Sequence, residues 1–113
     1  MGYDVDLADR IRDLLVAEAD VTESKMFGGL AFLVGGHMAI TASGQGGALV
    51  RVDPAVYESI AARSNAVPAV MRGRAMKGWL RVESDDLTTK RQLVRWVELA
   101  TIHARSLPPK HGR

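Results

Sequence analysis

The stretch KMFGGLAFLVGGHMAITASGQGGALVRVD, residues 25–53, decides the fold. Its apolar residues fall into three short runs that are separated by clusters of glycine, a pattern typical of strands joined by tight turns. The pair Gly35-Gly36 suits a two-residue hairpin turn, because glycine adopts positive φ at both central positions. Strands linked this closely must run antiparallel. The predicted strands of this stretch are residues 25–34, 37–42 and 48–53.

Alternation along each strand predicts which side chains face the core. In the second strand, Met38 and Ile40 are expected on one face and Thr41 on the other. A fourth strand, GWLRV at 78–82, places Leu80 and Trp79 on opposite faces in the same way.

Segments with helical periodicity precede and follow these strands in the sequence. The first helix is amphipathic, with Asp4 or Asp6 as its amino-terminal cap, and the last is expected to be capped within Ser84–Asp86 and stopped by Pro108-Pro109. The predicted helices are residues 5–19, 54–63 and 86–106. The element order predicts an α+β fold, in which an antiparallel sheet of about four strands is flanked by an N-terminal helix, a short middle helix and a long C-terminal helix. Residues 1–113 are expected to form a single domain, with a core of about 5–108.

Composition excludes several classes of protein. The chain of 113 residues has no cysteine, so disulfides, thiol catalysis and cysteine metal sites are excluded. Its 47% apolar and 25% charged residues are ordinary for a globular domain. The acidic start MGYDVDLADR is unlike a signal peptide, and no apolar run reaches membrane-spanning length. We therefore expect a cytoplasmic protein with no membrane partner.

The net charge of +2 hides a polarised distribution. Residues 1–24 contain seven acids and two arginines, whereas residues 63–113 contain eleven bases and four acids. This asymmetry favours a nucleic acid or an acidic protein as partner. The alternative is that the acidic and basic segments face each other within the fold.

Motifs that carry chemistry are missing from the sequence. The three histidines, His37, His103 and His111, have no metal-ligand spacing, and the glycine-rich GQGGAL at 44–49 precedes a strand rather than a helix. There is no phosphate-binding loop and no nucleophile elbow. We therefore expect no enzymatic activity, no catalytic residue, no metal and no cofactor.

The densest polar feature is MRGRAMKGWLRV at 71–82. It contains four cations, an indole and two glycines, a combination that suits phosphate contact and base stacking. In the alternative reading, Trp79 packs beneath the final helix, and the cations either pair with the N-terminal acids or are simply solvated. The four cations are Arg72, Arg74, Lys77 and Arg81.

Four segments together resemble a known family, the N-terminal domain of the TfoX/Sxy competence regulators. The segments are MFGGLAFLV at 26–34, LVRVDP at 49–54, MRGRAMKGWLRV at 71–82 and LPPK at 107–110. The resemblance spans roughly residues 7–110 and implies a small α+β domain with an antiparallel sheet.

The same resemblance implies a regulatory role. In the full-length regulators, a C-terminal helical domain follows, and the two domains together help a cyclic-AMP receptor protein to activate competence promoters. This chain ends at Arg113, so it resembles the stand-alone TfoX N-terminal domain proteins. We expect a non-enzymatic module of transcription regulation, with a transcription factor or nucleic acid as partner.

The family establishes no catalytic residues, so its motifs mark only a candidate surface. The candidate interaction residues are Arg51, Arg72, Arg74, Lys77, Trp79 and Arg81, and the remaining motif positions are Met26, Phe27, Gly28, Gly29, Gly73 and Gly78.

Two other hypotheses stay open. A small anionic-ligand-binding protein or enzyme would use an apolar pocket rimmed by Arg51, Arg72 and Lys77. Its apolar lining would be Met26, Phe27, Met71, Met76 and Trp79. A structural homodimer would use a sheet edge or the final helix, so the chain is expected to be a monomer or a homodimer.

Overall fold

The computed structural model describes residues 2–26 and 28–109. Its helices are α1 (Val5–Leu14), α2 (Tyr57–Ala62) and α3 (Lys90–Ser106). Its strands are β1 (Val21–Met26), β2 (Gly29–Val34), β3 (His37–Ala42), β4 (Ala48–Arg51), β5 (Val67–Met71) and β6 (Arg74–Val82). The six strands form one sheet in the order β1-β2-β3-β4-β6-β5, with every neighbouring pair antiparallel. The predicted α+β class is confirmed, with six strands in the described residues rather than about four.

The strand predicted at 25–34 is in fact two strands. Met26 pairs with Gly29, so the chain reverses between them and the polar segment VTESKM forms β1 along the edge of the sheet. Its alternation was hidden because three of these six side chains are exposed and the other three are only partly buried, as an edge strand permits. The next reversal confirms the prediction, since Gly35 and Gly36 both have positive φ (61° and 85°).

The other additional strand, β5, contains Pro68 and lies in a segment for which no element was predicted. Proline cannot donate a backbone hydrogen bond, so within a sheet it is confined mainly to edges. Strand β5 lies at the edge opposite β1, where one side of its backbone needs no partner. A local irregularity in its pairing with β6 lies between Pro68 and Val70.

The helix boundaries differ from the predicted ones at identifiable caps. Asp4 caps α1 as predicted, its Oδ1 accepting from the Leu7 backbone N–H at 3.1 Å. Helix α3 is not capped within Ser84–Asp86, because those residues form a separate short 3₁₀-helix. Its cap is Thr89, whose hydroxyl accepts from the Gln92 N–H (3.1 Å) while the Gln92 side chain accepts from the Thr89 N–H (2.9 Å).

One face of the sheet carries the hydrophobic core. All three helices pack on this face, burying Phe32, Ile40, Val50 and Leu80 to 1% exposure or less. Burial of each such side chain contributes about 1.5–3 kcal/mol to folding. The opposite face of the sheet is therefore left free of the described helices.

A bulge in the pairing of β2 with β3 assigns Met38 to the free face. Phe32 pairs with Ile40, but the next residue, Leu33, pairs with Met38, so the register shifts by one residue. Met38 consequently shares a face with Thr41 instead of with Ile40. The prediction from strict alternation was wrong at this position, because a bulge reverses the phase of every residue beyond it.

None of the helices in the described ranges has both the length and the apolar character needed to cross a bilayer.

Candidate functional site

The basic motif at 71–82 forms the β5–β6 hairpin. Its turn consists of Arg72 and Gly73, which both have positive φ (53° and 78°), as a two-residue type I′ turn requires. Arginine in this left-handed region costs about 1 kcal/mol relative to glycine. Pairing of Met71 with Arg74 on either side holds the turn closed. The motif therefore builds a hairpin with a cation in its tip.

Three cations of this hairpin face solvent without an acidic partner. Arg72, Arg74 and Lys77 are all exposed, and none of them forms an ion pair with any residue in 2–26 or 28–109. The acidic and basic ends of the chain meet elsewhere, through Arg105 and Glu18 at 3.0 Å. Pairing with the N-terminal acids is thus not what these three cations do. We call Arg72, Arg74 and Lys77 the basic hairpin.

Arg81, a candidate interaction residue, is engaged inside the molecule. Its guanidinium donates to the backbone carbonyls of Gly46 (2.8 Å) and Gln45 (3.3 Å) and to the Ser43 hydroxyl (3.4 Å). It also pairs with Glu83 at 3.0 Å. Arg81 therefore fixes the turn between β3 and β4 and retains little hydrogen-bonding capacity for a partner.

Trp79 does not pack beneath the final helix. It lies half-buried on the free face, directly opposite Arg51 on β4, whose guanidinium stands 5.8 Å from the centre of the indole ring. This geometry is a cation–π contact. The tryptophan that packs into the helical core is Trp96 of α3, which is only 5% exposed.

The free face of the sheet contains a concavity of about 290 Å³. Both edge strands contribute to it, since Met26 comes from β1 and Met71 from β5. Four methionines, a leucine and a tryptophan dominate its apolar lining: Met26, Met38, Met71, Met76, Leu49 and Trp79. The predicted association of Met26, Met71, Met76 and Trp79 is confirmed. Phe27 lies outside the described residues.

The rim of this concavity differs from the predicted one. Arg51, Arg72 and Lys77 are absent from its described lining, and the cation found there is Arg81. Sequence reasoning also missed Met38, because of the bulge, and Thr41, because nothing in a sequence marks an unpartnered hydroxyl.

Thr41 is the unusual polar residue of the lining. Its side chain is only 4% exposed, and its Oγ1 has no hydrogen-bond partner in the described parts of the chain. Neighbouring Ser43, in contrast, accepts hydrogen bonds from the Gln45 N–H (3.1 Å) and from Arg81. An unpaired buried hydroxyl lowers the stability of the fold by about 1–3 kcal/mol. The native fold therefore contains, at this point, a polar group whose hydrogen-bonding capacity is not satisfied.

Motif glycines shape the wall of the concavity. A Cβ on Gly29 would lie 2.4 Å from the Ala42 carbonyl oxygen, and one on Gly44 would lie 2.6 Å from the Gly28 carbonyl oxygen. The β1–β2 turn and the β3–β4 turn are therefore in direct backbone contact. Gly28 and Gly78 both have positive φ (77° and 89°), so glycine at these motif positions permits a left-handed backbone conformation.

The described histidines lie at the end of the sheet away from the β3–β4 turn. The His37 Nε2 is hydrogen bonded to the Pro108 carbonyl at 2.5 Å. Burial lowers the pKa of His103, and the nearby charge of Arg51 lowers it further. Within residues 2–26 and 28–109, no three histidine or acidic side chains are grouped so as to hold a metal. His111 lies outside the described residues.

Comparison with protein families identifies the family of this chain. A family model, the TfoX N-terminal domain, matches residues 13–104, which contain all six strands and most of α3. The chain belongs to the TfoX N-terminal domain family. Comparisons with curated proteins and with solved structures gave no match. In this TfoX N-terminal domain, the free face and the basic hairpin both lie inside the matched range.

Proposed function

We propose that this TfoX N-terminal domain is a non-enzymatic module of transcription regulation that contacts an acidic protein partner through the basic hairpin. The observation that carries the proposal is the exposure of Arg72, Arg74 and Lys77 without an acidic partner in the described residues. Unpaired charges on a fixed hairpin steer association and select partners of opposite charge. The sequence has no catalytic motif, so the proposal assigns no reaction.

A protein partner accounts for this charge distribution better than direct DNA binding. Each phosphate contact contributes about −0.9 to the slope of log K against log salt, so three cations give roughly −2.7, well below the slope of a protein with six to ten contacts. Direct DNA contact is therefore the second candidate, and it is distinguished by its salt dependence.

The test compares two double charge reversals. Arg74→Glu/Lys77→Glu inverts the basic hairpin without altering its turn residues. The matched control, Lys90→Glu/Arg91→Glu, inverts two exposed cations at the start of α3, where acids suit the helix dipole. Transcript profiles would be recorded in native cells producing each version. An acidic protein captured from those cells by the wild-type domain would then be purified and titrated with each version.

We expect wild type and the α3 control to alter the same transcripts and to bind an acidic partner equally. The hairpin variant should lose the transcript response and bind at least about tenfold more weakly, because like charges then oppose each other across the interface. Equal behaviour of the two variants would overturn the proposal. Tight binding of purified protein to duplex DNA at low salt, with a slope far steeper than about −2.7, would replace the protein partner with DNA.

A further inference from the structure

We infer that the concavity on the free face binds an uncharged, planar aromatic compound of about two fused rings that carries one hydrogen-bonding group. This site is separate from the basic hairpin surface and does not depend on the proposed function. Three properties of the described residues determine the ligand class: the volume of the concavity, its lining and the unpaired Thr41 hydroxyl.

Volume sets the size of the ligand. The concavity measures about 290 Å³. An apolar cavity of about 150 Å³ in a protein core accommodates benzene, so roughly twice that volume suits two fused rings. A single ring would leave half of the apolar wall uncovered.

The lining favours an aromatic compound over an aliphatic chain. Met26, Met38, Met71 and Met76 contribute flexible, polarisable thioethers, which contact the edges of aromatic rings favourably. Trp79 supplies a flat indole surface and is held in place by the contact with Arg51. Aromatic rings pack against such a surface in offset or edge-to-face arrangements.

Thr41 specifies one polar group on the ligand. Thr41 lines the concavity, and its Oγ1 has no partner in the described residues and less than 1 Å² of exposed surface. A threonine hydroxyl both donates and accepts, so a ligand hydroxyl, N–H or carbonyl satisfies it once rotation about χ1 turns the hydroxyl into the concavity. A fatty acid with its carboxylate at the rim would leave this hydroxyl unpaired below the chain. A flat protein surface laid over the rim would do the same.

The electrostatics of the lining require an uncharged ligand. Arg81 is the cation among the described lining residues, and its guanidinium already donates to Ser43, Gln45, Gly46 and Glu83. An anion entering this apolar space would lose its hydration without gaining a free cation. The ligand class thus differs from the anionic class suggested by the sequence.

The experiment titrates the protein with four probes of similar size. The probes are 2-naphthol, naphthalene, 2-naphthoate and 1-decanol. Binding is followed by NMR of ¹³C-labelled methionine methyl groups and by calorimetry at neutral pH. We expect 2-naphthol to shift the methyl signals of Met26, Met38, Met71 and Met76 with a Kd on the order of 100 μM. Naphthalene, which cannot pair with Thr41, should bind about fivefold more weakly.

Variants assign the binding to this site. Thr41→Val should remove the advantage of 2-naphthol over naphthalene, and Thr41→Ser should keep it. Met38→Trp should fill the concavity and abolish binding, whereas Ile102→Trp, at an exposed position of α3, serves as the control and should leave binding unchanged.

Each remaining outcome overturns the inference. Undetected binding of 2-naphthol at its solubility limit, or unchanged binding in Met38→Trp, excludes the site. Tighter binding of 2-naphthoate excludes the uncharged class, and tighter binding of 1-decanol excludes the aromatic class. If light scattering shows a dimer whose formation itself shifts the four methionine signals, a second copy covers this face instead.

Discussion

Leu80 and Trp79 are neighbours on β6, yet they belong to two different environments. Leu80 is fully buried beneath the helices, whereas Trp79 lies half-buried on the free face beside Arg51. In many antiparallel sheets the face away from the core is solvated and polar. Here that face is lined by methionines, leucine and tryptophan. The free face therefore carries more apolar surface than folding of the sheet requires, and this excess is what makes it available for binding.

The two faces also differ in the kind of side chain they use. The covered face is filled by residues with few rotamers, and the fully buried ones include Phe32, Ile40, Leu80, Val50 and Val82. The concavity is lined largely by methionine, which changes rotamer easily and adapts to different shapes. A rigid face specifies a unique fold, and an adaptable face accepts a ligand.

The largest expected effect is a difference in unfolding free energy between a variant of the covered face and a variant of the free face. Leu80→Ala removes a fully buried side chain and should lower the free energy of unfolding by about 2–5 kcal/mol. Met76→Ala, on the half-buried wall of the concavity, should cost only about 1 kcal/mol, because part of its side chain is exposed and less apolar surface is lost on truncation. Urea denaturation of both variants measures the difference. Equal losses would mean that the free face is a second core rather than a binding surface.

A smaller effect tests the backbone contact between the β1–β2 turn and the β3–β4 turn, which forms part of the wall of the concavity. In Gly29→Ala, the new Cβ would lie 2.4 Å from the Ala42 carbonyl oxygen, so the β1–β2 turn must move. We expect a loss of about 1–3 kcal/mol in unfolding free energy, together with altered methyl signals of Met26 and Met38. Urea denaturation and methionine NMR measure the two changes.

The matched control for that variant is Gly73→Ala at the hairpin tip. Its Cβ would meet open space, but its φ of 78° disfavours alanine, so a loss of about 1 kcal/mol is expected with the methionine signals unchanged. If Gly29→Ala left both the stability and the Met26 and Met38 signals at their wild-type values, the close contact of the two turns would be excluded.

The sequence predicted the features that depend on local pattern. The Gly35-Gly36 hairpin, the α+β class and the opposite orientation of Leu80 and Trp79 all follow from turn chemistry and from period-two alternation. The gathering of Met26, Met71 and Met76 was also predicted, as the apolar lining of a hypothetical ligand pocket. The capping box at Thr89 has a recognisable threonine and glutamine spacing, but Ser84–Asp86 carries a competing capping pattern, and it is this segment that forms the separate 3₁₀-helix.

What the sequence did not predict depends on pairing across the sheet. Met38 changes faces because of a bulge opposite β2, and a bulge leaves no distinct pattern in a strand of six residues. Pro68 belongs to a strand only because β5 lies at an edge, which is a property of the whole topology. The Thr41 hydroxyl is unpaired because no hydrogen-bond partner lies within reach of it among the described residues. Residue types alone do not reveal this spatial arrangement.

The smallest expected effect concerns the rim of the covered face, where His103 is 9% exposed and its Nδ1 has no partner in the described residues. Burial lowers the pKa of His103 below its ordinary value of 6.5, the charges of Arg51 and His37 act in the same direction, and Asp53 opposes them. The unfolded chain therefore binds a proton more readily than the folded one. Stability is complete above about pH 6.5 and falls as the pH decreases through the range between the unfolded and folded pKa values.

Urea denaturation between about pH 7.5 and pH 5.5 measures this loss, with His103→Leu as the control that removes the titrating group. Each tenfold difference in proton affinity between the two states contributes about 1.4 kcal/mol, so the total loss of unfolding free energy across the transition gives the shift. Arg12 lowers the pKa of Glu23 below its ordinary value of 4.5, so that pair loses stability only at more acidic pH and does not interfere. A slope that persists in His103→Leu would assign the pH dependence to another group and contradict the role of His103.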